Sequence, residues 1–236
     1  LNYLNQKNYN RTKIQIKKNI TLKNISYGYS SSLILKNINL NIRLGEKIAI
    51  VGKTGSGKTT LINIILGLLD ARSGKYLVDN KLLNNNDIYS NFSFVPQNIF
   101  LIHDSIKKNI QFSKINEKID NNLLKKSIAV SQLQKFIKKT RQGVNHDVGE
   151  RGLFLSGGQL QRVGIARGIY ADRNILVLDE STSSLDNYTE KKVIDNLFKL
   201  YKKRTIIFIT HKTNLLKRFD KIFLLKNKKL IKQNKK

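Results

Sequence analysis

The segment GKTGSGKT at 52–59 has the spacing G-x-x-x-x-G-K-[ST]. It follows a hydrophobic stretch and precedes a helix-patterned one, the setting in which such a loop wraps the phosphates of a nucleotide. Gly52, Gly55 and Gly57 let the backbone approach an anion, and N–H groups along Lys53, Thr54 and Ser56 can point at it. The dipole of the following helix adds to the attraction. Lys58 is expected to reach the β- and γ-phosphates, Thr59 to ligate Mg2+ through its hydroxyl, and Thr60 to donate to the α-phosphate. A fortuitous Gly-rich turn would share the composition but not both correct flanks. ILVLDE at 175–180 then closes an apolar run on two carboxylates. Asp179 suits Mg2+, largely through water, and Glu180 is poised to polarise a water beside the γ-phosphate. In isolation these could be acidic turn residues; the loop upstream favours the chemical reading. Together the two segments predict binding and hydrolysis of ATP with Mg2+.

LSGGQ at 155–159, followed by LQRVGIAR, offers a second helix start rich in small residues. Ser156, Gly157 and Gly158 would aim another set of N–H groups at an anion. Two such starts in one domain suggest two surfaces that contact ATP. With this string the sequence resembles the nucleotide-binding domain of an ABC transporter. The resemblance covers nearly all of residues 20–231 and implies that Ser156, Gly158 and Gln159 complete the ATP site of a partner subunit.

Further residues match the family's motifs in order. Tyr29 in ISYGY matches the aromatic that stacks on adenine, although a strand aromatic would look the same. Gln97 in FVPQ matches the glutamine that contacts Mg2+ and the attacking water and senses the membrane partner. Asp186 in SSLD matches the loop joining two sites across a dimer. His211, after the apolar TIIFIT, matches the switch histidine at the γ-phosphate; a lone His is usually structural, and its place after a strand reverses that reading. Ser184, Gly168 and Thr210 stand where the family more often has alanine. DVGERG at 147–152 and IFLIHDSIKKNI at 99–110 resemble exporter-type domains, which commonly carry a transmembrane domain upstream on the same polypeptide. VGIARGIY with SLDNYTEKKVI is similar to transporters that flip lipid-linked saccharides.

The elements that must position these groups can be read from periodicity. ITLKNISY, LILKNINLNI and EKIAI between 20 and 50 alternate as strands do. Thr59 to Leu69 is patterned as a helix. GKYLVDNKLL at 74–83 reads as a hairpin turning at Asp79-Asn80, and FSFV at 92–95 as a strand. Residues 103–142 carry Lys and Leu/Ile at helical spacing. A helix from about Leu160 to Tyr170 precedes the strands ending at Asp179 and before His211, with a helix at Thr189–Tyr201 between them. That alternation predicts a parallel sheet with ligands at its carboxyl ends. The fold class expected is α/β: a P-loop NTPase, RecA-like core with an antiparallel β subdomain and an inserted α-helical subdomain at about 98–165. Residues 1–19 read as a linker and 20–236 as the ATPase domain.

Composition narrows the classes. With no Cys among 236 residues there are neither disulfides nor thiolate chemistry. The longest apolar run, Leu61 to Leu69, is broken by Asn63 and Gly67 and falls short of the roughly 20 residues a membrane span needs. No signal peptide is visible. The chain starts at Leu1 and lacks Met throughout, which predicts a fragment whose missing part lies upstream. A net charge of +28 would suit a polyanionic partner, but the lysines are scattered, and abundant Lys, Asn and Ile together also follow from AT-rich coding. No specific nucleic-acid partner is expected. The dense basic run from Lys226 to Lys236 reads as a solvated face or frayed end.

The resemblance implies a head-to-tail dimer of such domains, a homodimer since every group is present, at the cytoplasmic face of the inner membrane. It would power export or flipping of a substrate; lipid, lipid-linked saccharide, peptide and drug stay open. Two alternatives are a non-transport ABC ATPase acting on nucleic acid or the ribosome, and a free-standing importer ATPase. The first lacks its usual tandem units or coiled-coil insertion, and DVGERG disfavours the second.

Overall fold

Alternating burial along the N-terminal third builds a half-buried sheet. In the computed structural model, which describes residues 13–29, 32–83, 87–114 and 116–234, β1 (Asn19–Tyr29) and β2 (Ser32–Arg43) pair antiparallel. Ile20, Leu22 and Ile25 of β1 and Leu35, Ile38, Leu40 and Ile42 of β2 point inward. The chain then enters β3 (Lys47–Val51), a short apolar strand with no alternation, and turns into α1 (Lys58–Ile65). A hairpin of β4 (Ser73–Val78) and β5 (Lys81–Leu82) follows, turning at Asp79 and Asn80 as expected. Both turn residues have positive φ, which Asp and Asn tolerate and two-residue hairpins require. Strand order in this sheet is β2-β1-β4-β5.

β6 (Phe92–Val95) leads into a helical region: α2 (Ile106–Gln111), α3 (Asn121–Val130), α4 (Gln134–Lys139) and the longer α5 (Gly157–Tyr170). Then come β7 (Ile175–Asp179), α6 (Asn187–Leu200), β8 (Thr205–Ile209), β9 (Lys221–Lys226) and β10 (Lys229–Gln233). The second sheet has the order β10-β9-β3-β8-β7-β6; all its pairings are parallel except β10 with β9. β7 and β8 are buried along their whole length, as parallel strands covered on both faces must be.

Three apolar clusters hold these layers. One lies between the antiparallel sheet, α1 and one face of the parallel sheet. The second packs α5 and α6 on the opposite face, through Ile165, Ile169, Val193, Ile194 and Leu197. The third fills the helical subdomain and includes Val163, Ala166 and Tyr170 of α5, so α5 serves two cores at once.

Some expectations need correcting. α1 ends at Ile65, not Leu69, because Gly67 adopts φ +72° and takes the chain off the helix. α5 begins at Gly157, three residues earlier than its apolar pattern implied, because Ser156 caps it. The basic stretch after Lys226 is not a frayed end: it turns at Asn227 and Lys228 and returns as β10, with Leu230 packed against the core. Residues 235–236 lie outside the described residues, as do residues 1–12 of the expected linker.

Residues 13–19 are fastened to the domain. Ile16 is buried, and its N–H donates to Asn91 Oδ1 at 3.0 Å while Asn91 Nδ2 donates to the Ile14 carbonyl at 2.7 Å. The Asp79 carboxylate accepts from the N–H groups of Lys17, Lys18 and Asn19 at 2.7–2.9 Å. Burial alone would raise the Asp79 pKa. The three N–H donors and the Lys18 charge outweigh it and hold the carboxyl below its ordinary value.

Candidate functional site

Three neighbouring strands of the parallel sheet end together, and each releases part of the site. β3 runs out into the loop at 52–57, β7 into Asp179 and Glu180, and β8 into Thr210 and His211. Register is kept past the strand ends: Glu180 N–H donates to the Ile209 carbonyl at 3.1 Å and Thr210 N–H to that of Ile50 at 3.3 Å. The sheet's carboxyl edge thereby brings side chains 120 and more residues apart within reach of one another.

The loop is shaped to take an anion. Gly57 sits at φ +100°, and a Cβ there would come within 2.9 Å of Ile34 Cγ2. A Cβ on Gly52 would meet the Leu225 carbonyl and Ser56 Oγ, both at 2.7 Å. Ser56 Oγ is buried with no hydrogen-bond partner, an arrangement that an oxyanion would satisfy. Lys58, only 8% exposed, bends its ammonium over the loop, donating to the carbonyls of Gly52 at 3.0 Å and Lys53 at 3.1 Å. Its Nζ also lies 3.3 Å from Glu180 Oε1.

Around Lys58 the remaining groups converge. Thr59 Oγ1 donates to Asp179 Oδ2 at 3.4 Å, and Gln97 Nε2 to Glu180 Oε2 at 3.4 Å. His211 Nδ1 is 3.7 Å from the same Glu180 oxygen. Asp179 is buried, and that burial, with the adjacent Glu180 charge, raises its pKa against the opposing pull of Thr59 and Lys58. Glu180 adopts φ +46°, a backbone conformation that a non-glycine residue keeps only when its surroundings over-determine it. The cleft so formed has a volume of about 320 Å³ and is lined by Thr54, Gly55, Gly57 to Thr60, Gln97, Asp179 and Glu180.

Divalent metal fits this donor set. Thr59 Oγ1 and Asp179 Oδ2 are hard oxygens side by side, and Mg2+ usually takes only one or two protein ligands beside phosphate and water. Among the described residues no cluster of three His, Cys, Asp or Glu offers a self-sufficient metal cage, so an ion here would depend on the nucleotide.

Other candidates fall elsewhere. Tyr29, at the end of β1, is 65% exposed, packs edge-on against Tyr27 and does not line the cleft. Ile34 of β2 does line it, a residue missed in the sequence because it reads as one more strand aliphatic. Ser156 and Gln159 form a reciprocal cap at the start of α5: Ser156 Oγ accepts from Gln159 N–H at 3.3 Å, and Gln159 Oε1 from Ser156 N–H at 2.8 Å. A Cβ on Gly158 would be 3.1 Å from the Ser184 carbonyl, so this helix start lies against the 183–186 loop, away from the residues lining the cleft. Gln161 ties the two together, donating to Ser183 Oγ at 2.9 Å and accepting from Ser184 N–H at 2.8 Å. Asp186 caps α6 by accepting from Thr189 N–H.

A parallel sheet with a phosphate loop after β3 and carboxylates after β7 defines a P-loop ATPase, here with a helical subdomain inserted after β6. The ABC transporter family model matches residues 35–183, and the chain belongs to that family. It is 35% identical over 211 residues to the ATP-dependent lipid A-core flippase of Pectobacterium atrosepticum, a match covering 88% of this chain and 36% of that protein. It is 37% identical over 226 residues to the alpha-hemolysin translocation ATP-binding protein HlyB of Escherichia coli, covering 94% of this chain and 32% of HlyB. The structure of a bacterial Atm1-family ABC exporter with ATP bound superposes with a TM-score of 0.87 at 29% identity, over 94% of this chain and 40% of that one. The chain thus spans about a third of the length of the curated relatives it matches. No described helix is long and apolar enough to cross a membrane.

Proposed function

We propose that this chain is the motor domain of an exporter or flippase: two copies bind ATP between them, head to tail, and hydrolysis drives a substrate across a membrane. The observation that carries the reading is the convergence of Lys58, Gln97 and His211 on the single carboxylate of Glu180. In this reading residues 1–19 link the domain 20–236 to an upstream transmembrane domain, and the ATPase works at the cytoplasmic face of the membrane.

The roles follow from chemistry. The loop N–H groups and Lys58 neutralise the phosphates, as a helix start and an ammonium do for any polyanion. Thr59, Asp179 and Gln97 would hold Mg2+, which supplies charge neutralisation at the β- and γ-phosphates when bound. Glu180 accepts the proton of the attacking water, and drawing Lys58 toward phosphate frees the carboxylate oxygen it now faces. Gln97 and His211 hold Glu180 and the water in line. Tyr29 stacks on the base, while Ser156, Gly158 and Gln159 present the start of α5 to the nucleotide on the partner subunit.

Glu180→Gln tests the assignment, because it keeps shape and hydrogen bonding but cannot take a proton. Phosphate release is expected to fall by about 100-fold or more, with ATP binding retained. On gel filtration with saturating ATP the variant is expected to elute as a dimer. Undiminished phosphate release, or a monomer at saturating ATP, would refute the reading.

A further inference from the structure

Glu190 is the least exposed carboxylate the described structure contains, at 1% exposure in the first turns of α6, and none of the roles above uses it. A charge at that depth is destabilising by several kcal/mol unless both oxygens are satisfied. They are, by two different loops. Oε1 accepts from Thr182 Oγ1 at 2.7 Å, and Oε2 from Lys212 Nζ at 2.8 Å. Thr182 lies two residues beyond Glu180, and Lys212 directly follows His211.

Those two loops need fixing from outside. His211 is 60% exposed and gains little position from packing, so its ring sits wherever its backbone puts it. Glu180 holds a left-handed φ that relaxes unless restrained. Each loop has local restraints, the Ser183 N–H to the Glu180 carbonyl at 3.1 Å and the Lys212 N–H to Thr210 Oγ1 at 3.0 Å. These act within a loop; one backbone bond crosses between the strand ends, from Glu180 N–H to the Ile209 carbonyl at 3.1 Å, and Glu190 adds a side-chain clasp on the residues beyond them. Its own place is set by the Asp186 cap, which accepts from Thr189 N–H at 2.9 Å through its side chain and from Glu190 N–H at 2.9 Å through its carbonyl. Thr210 supplies the hydroxyl that accepts from Lys212 N–H and closes the His211 turn.

We infer that Glu190 is a positioning residue for hydrolysis: through Thr182 and Lys212 it holds Glu180 and His211 in mutual register. The inference rests on the roles given to Glu180 and His211 above. Because the phosphate loop is not part of this clasp, breaking it should lower turnover while leaving ATP binding alone.

The test uses the full chain, measuring steady-state phosphate release against ATP concentration, and nucleotide affinity and stoichiometry with a fluorescent ATP analogue. Glu190→Gln keeps an acceptor for one loop but turns an amide toward the Lys212 ammonium. Its kcat is expected to fall about 10- to 100-fold, the range an ångström-scale misplacement produces, with KM and bound stoichiometry within about twofold of the parent. Lys212→Met should match it, the double variant should fall no further, and Lys212→Arg, which still donates to Glu190, should restore most of the turnover. If Glu190→Gln does not fold, Thr182→Val deletes one hydroxyl and asks the same question. Parental turnover in these variants, or a loss of turnover that tracks lost nucleotide binding, overturns the inference. If the parent turns over, is stopped by Glu180→Gln and is matched by the clasp variants, only the inference fails. A parent without turnover removes both readings.

Discussion

Lys47, at the start of β3, is a lysine whose ammonium has gone inside. It is 8% exposed and donates to three carbonyls, those of Gly45 at 2.7 Å, Arg204 at 2.9 Å and Lys202 at 3.0 Å. Burial lowers its pKa, and the nearby Asp220 charge only partly offsets this. One side chain thus ties the strand that leads into the phosphate loop to the turn between α6 and β8. Lys47→Met keeps the aliphatic stem and removes the donors. Three part-buried carbonyls left without partners would be destabilising by at most about 1–3 kcal/mol each. Water entry at the partly open rim and relief from burying a charge recover much of that. The net expectation is about 3 kcal/mol. For a domain of this size each kcal/mol moves Tm by about 2–4 °C, so the variant should melt roughly 6–12 °C lower. Calorimetry and urea unfolding measure it, and an unchanged m-value would show that the denatured state is not involved. A Lys47→Met domain melting within about 2 °C of the parent would mean that the three carbonyls find water freely, and the account of Lys47 as a tie would be wrong.

Two further outcomes concern stability. Asp79→Asn keeps the turn, since Asn tolerates positive φ, but loses the charge that gathers the N–H groups of residues 17–19. It should destabilise by about 1 kcal/mol at neutral pH. Because the folded pKa is lowered, the parent's advantage is present above the ordinary carboxylate value of 3.8 and fades as pH falls through the lower folded value. Urea midpoints of the two proteins should therefore converge in acid, and a gap that stays constant with pH refutes the charge argument. Gly168→Ala gains about 1 kcal/mol of helix propensity, yet its Cβ would lie 2.6 Å from Val95 Cγ2. Overpacking of about 1–3 kcal/mol should win, lowering Tm, and Val95→Ala in the same chain should reverse the loss. A stabilised single variant would show that Val95 gives way easily.

Much of this was legible because the signals were local and strong. The Asp79-Asn80 hairpin, FSFV as β6 and the apolar runs of β7 and β8 follow from turn chemistry and periodicity alone. Motif spacing likewise singled out Gln97, Asp179, Glu180 and most of the 54–60 loop, which line one cleft, and His211, which stands beside Glu180. What escaped was set by tertiary placement. The Lys-rich composition of β10 masks a strand whose apolar residues are few, and LGLL at 66–69 continues a helical pattern that a single glycine ends. Ile34 lines the cleft because β2 passes over Gly57, which no local pattern records. Glu190 looks like one more acidic helix residue, and its burial depends on two loops that lie 8 and 22 residues away in sequence.

The stitching of residues 13–19 decides where a mechanical load on that segment would go. Tension along the chain at residue 13 meets the Ile14 N–H bond to the Asp87 carbonyl, then the paired Asn91 bonds, then the three N–H groups on Asp79. Asn91 immediately precedes β6, and β6 runs directly to Pro96 and Gln97. A tug on the incoming segment is therefore shared between β6, whose far end carries a cleft glutamine, and the β4–β5 turn of the antiparallel sheet, which Asp79 ties to the start of β1.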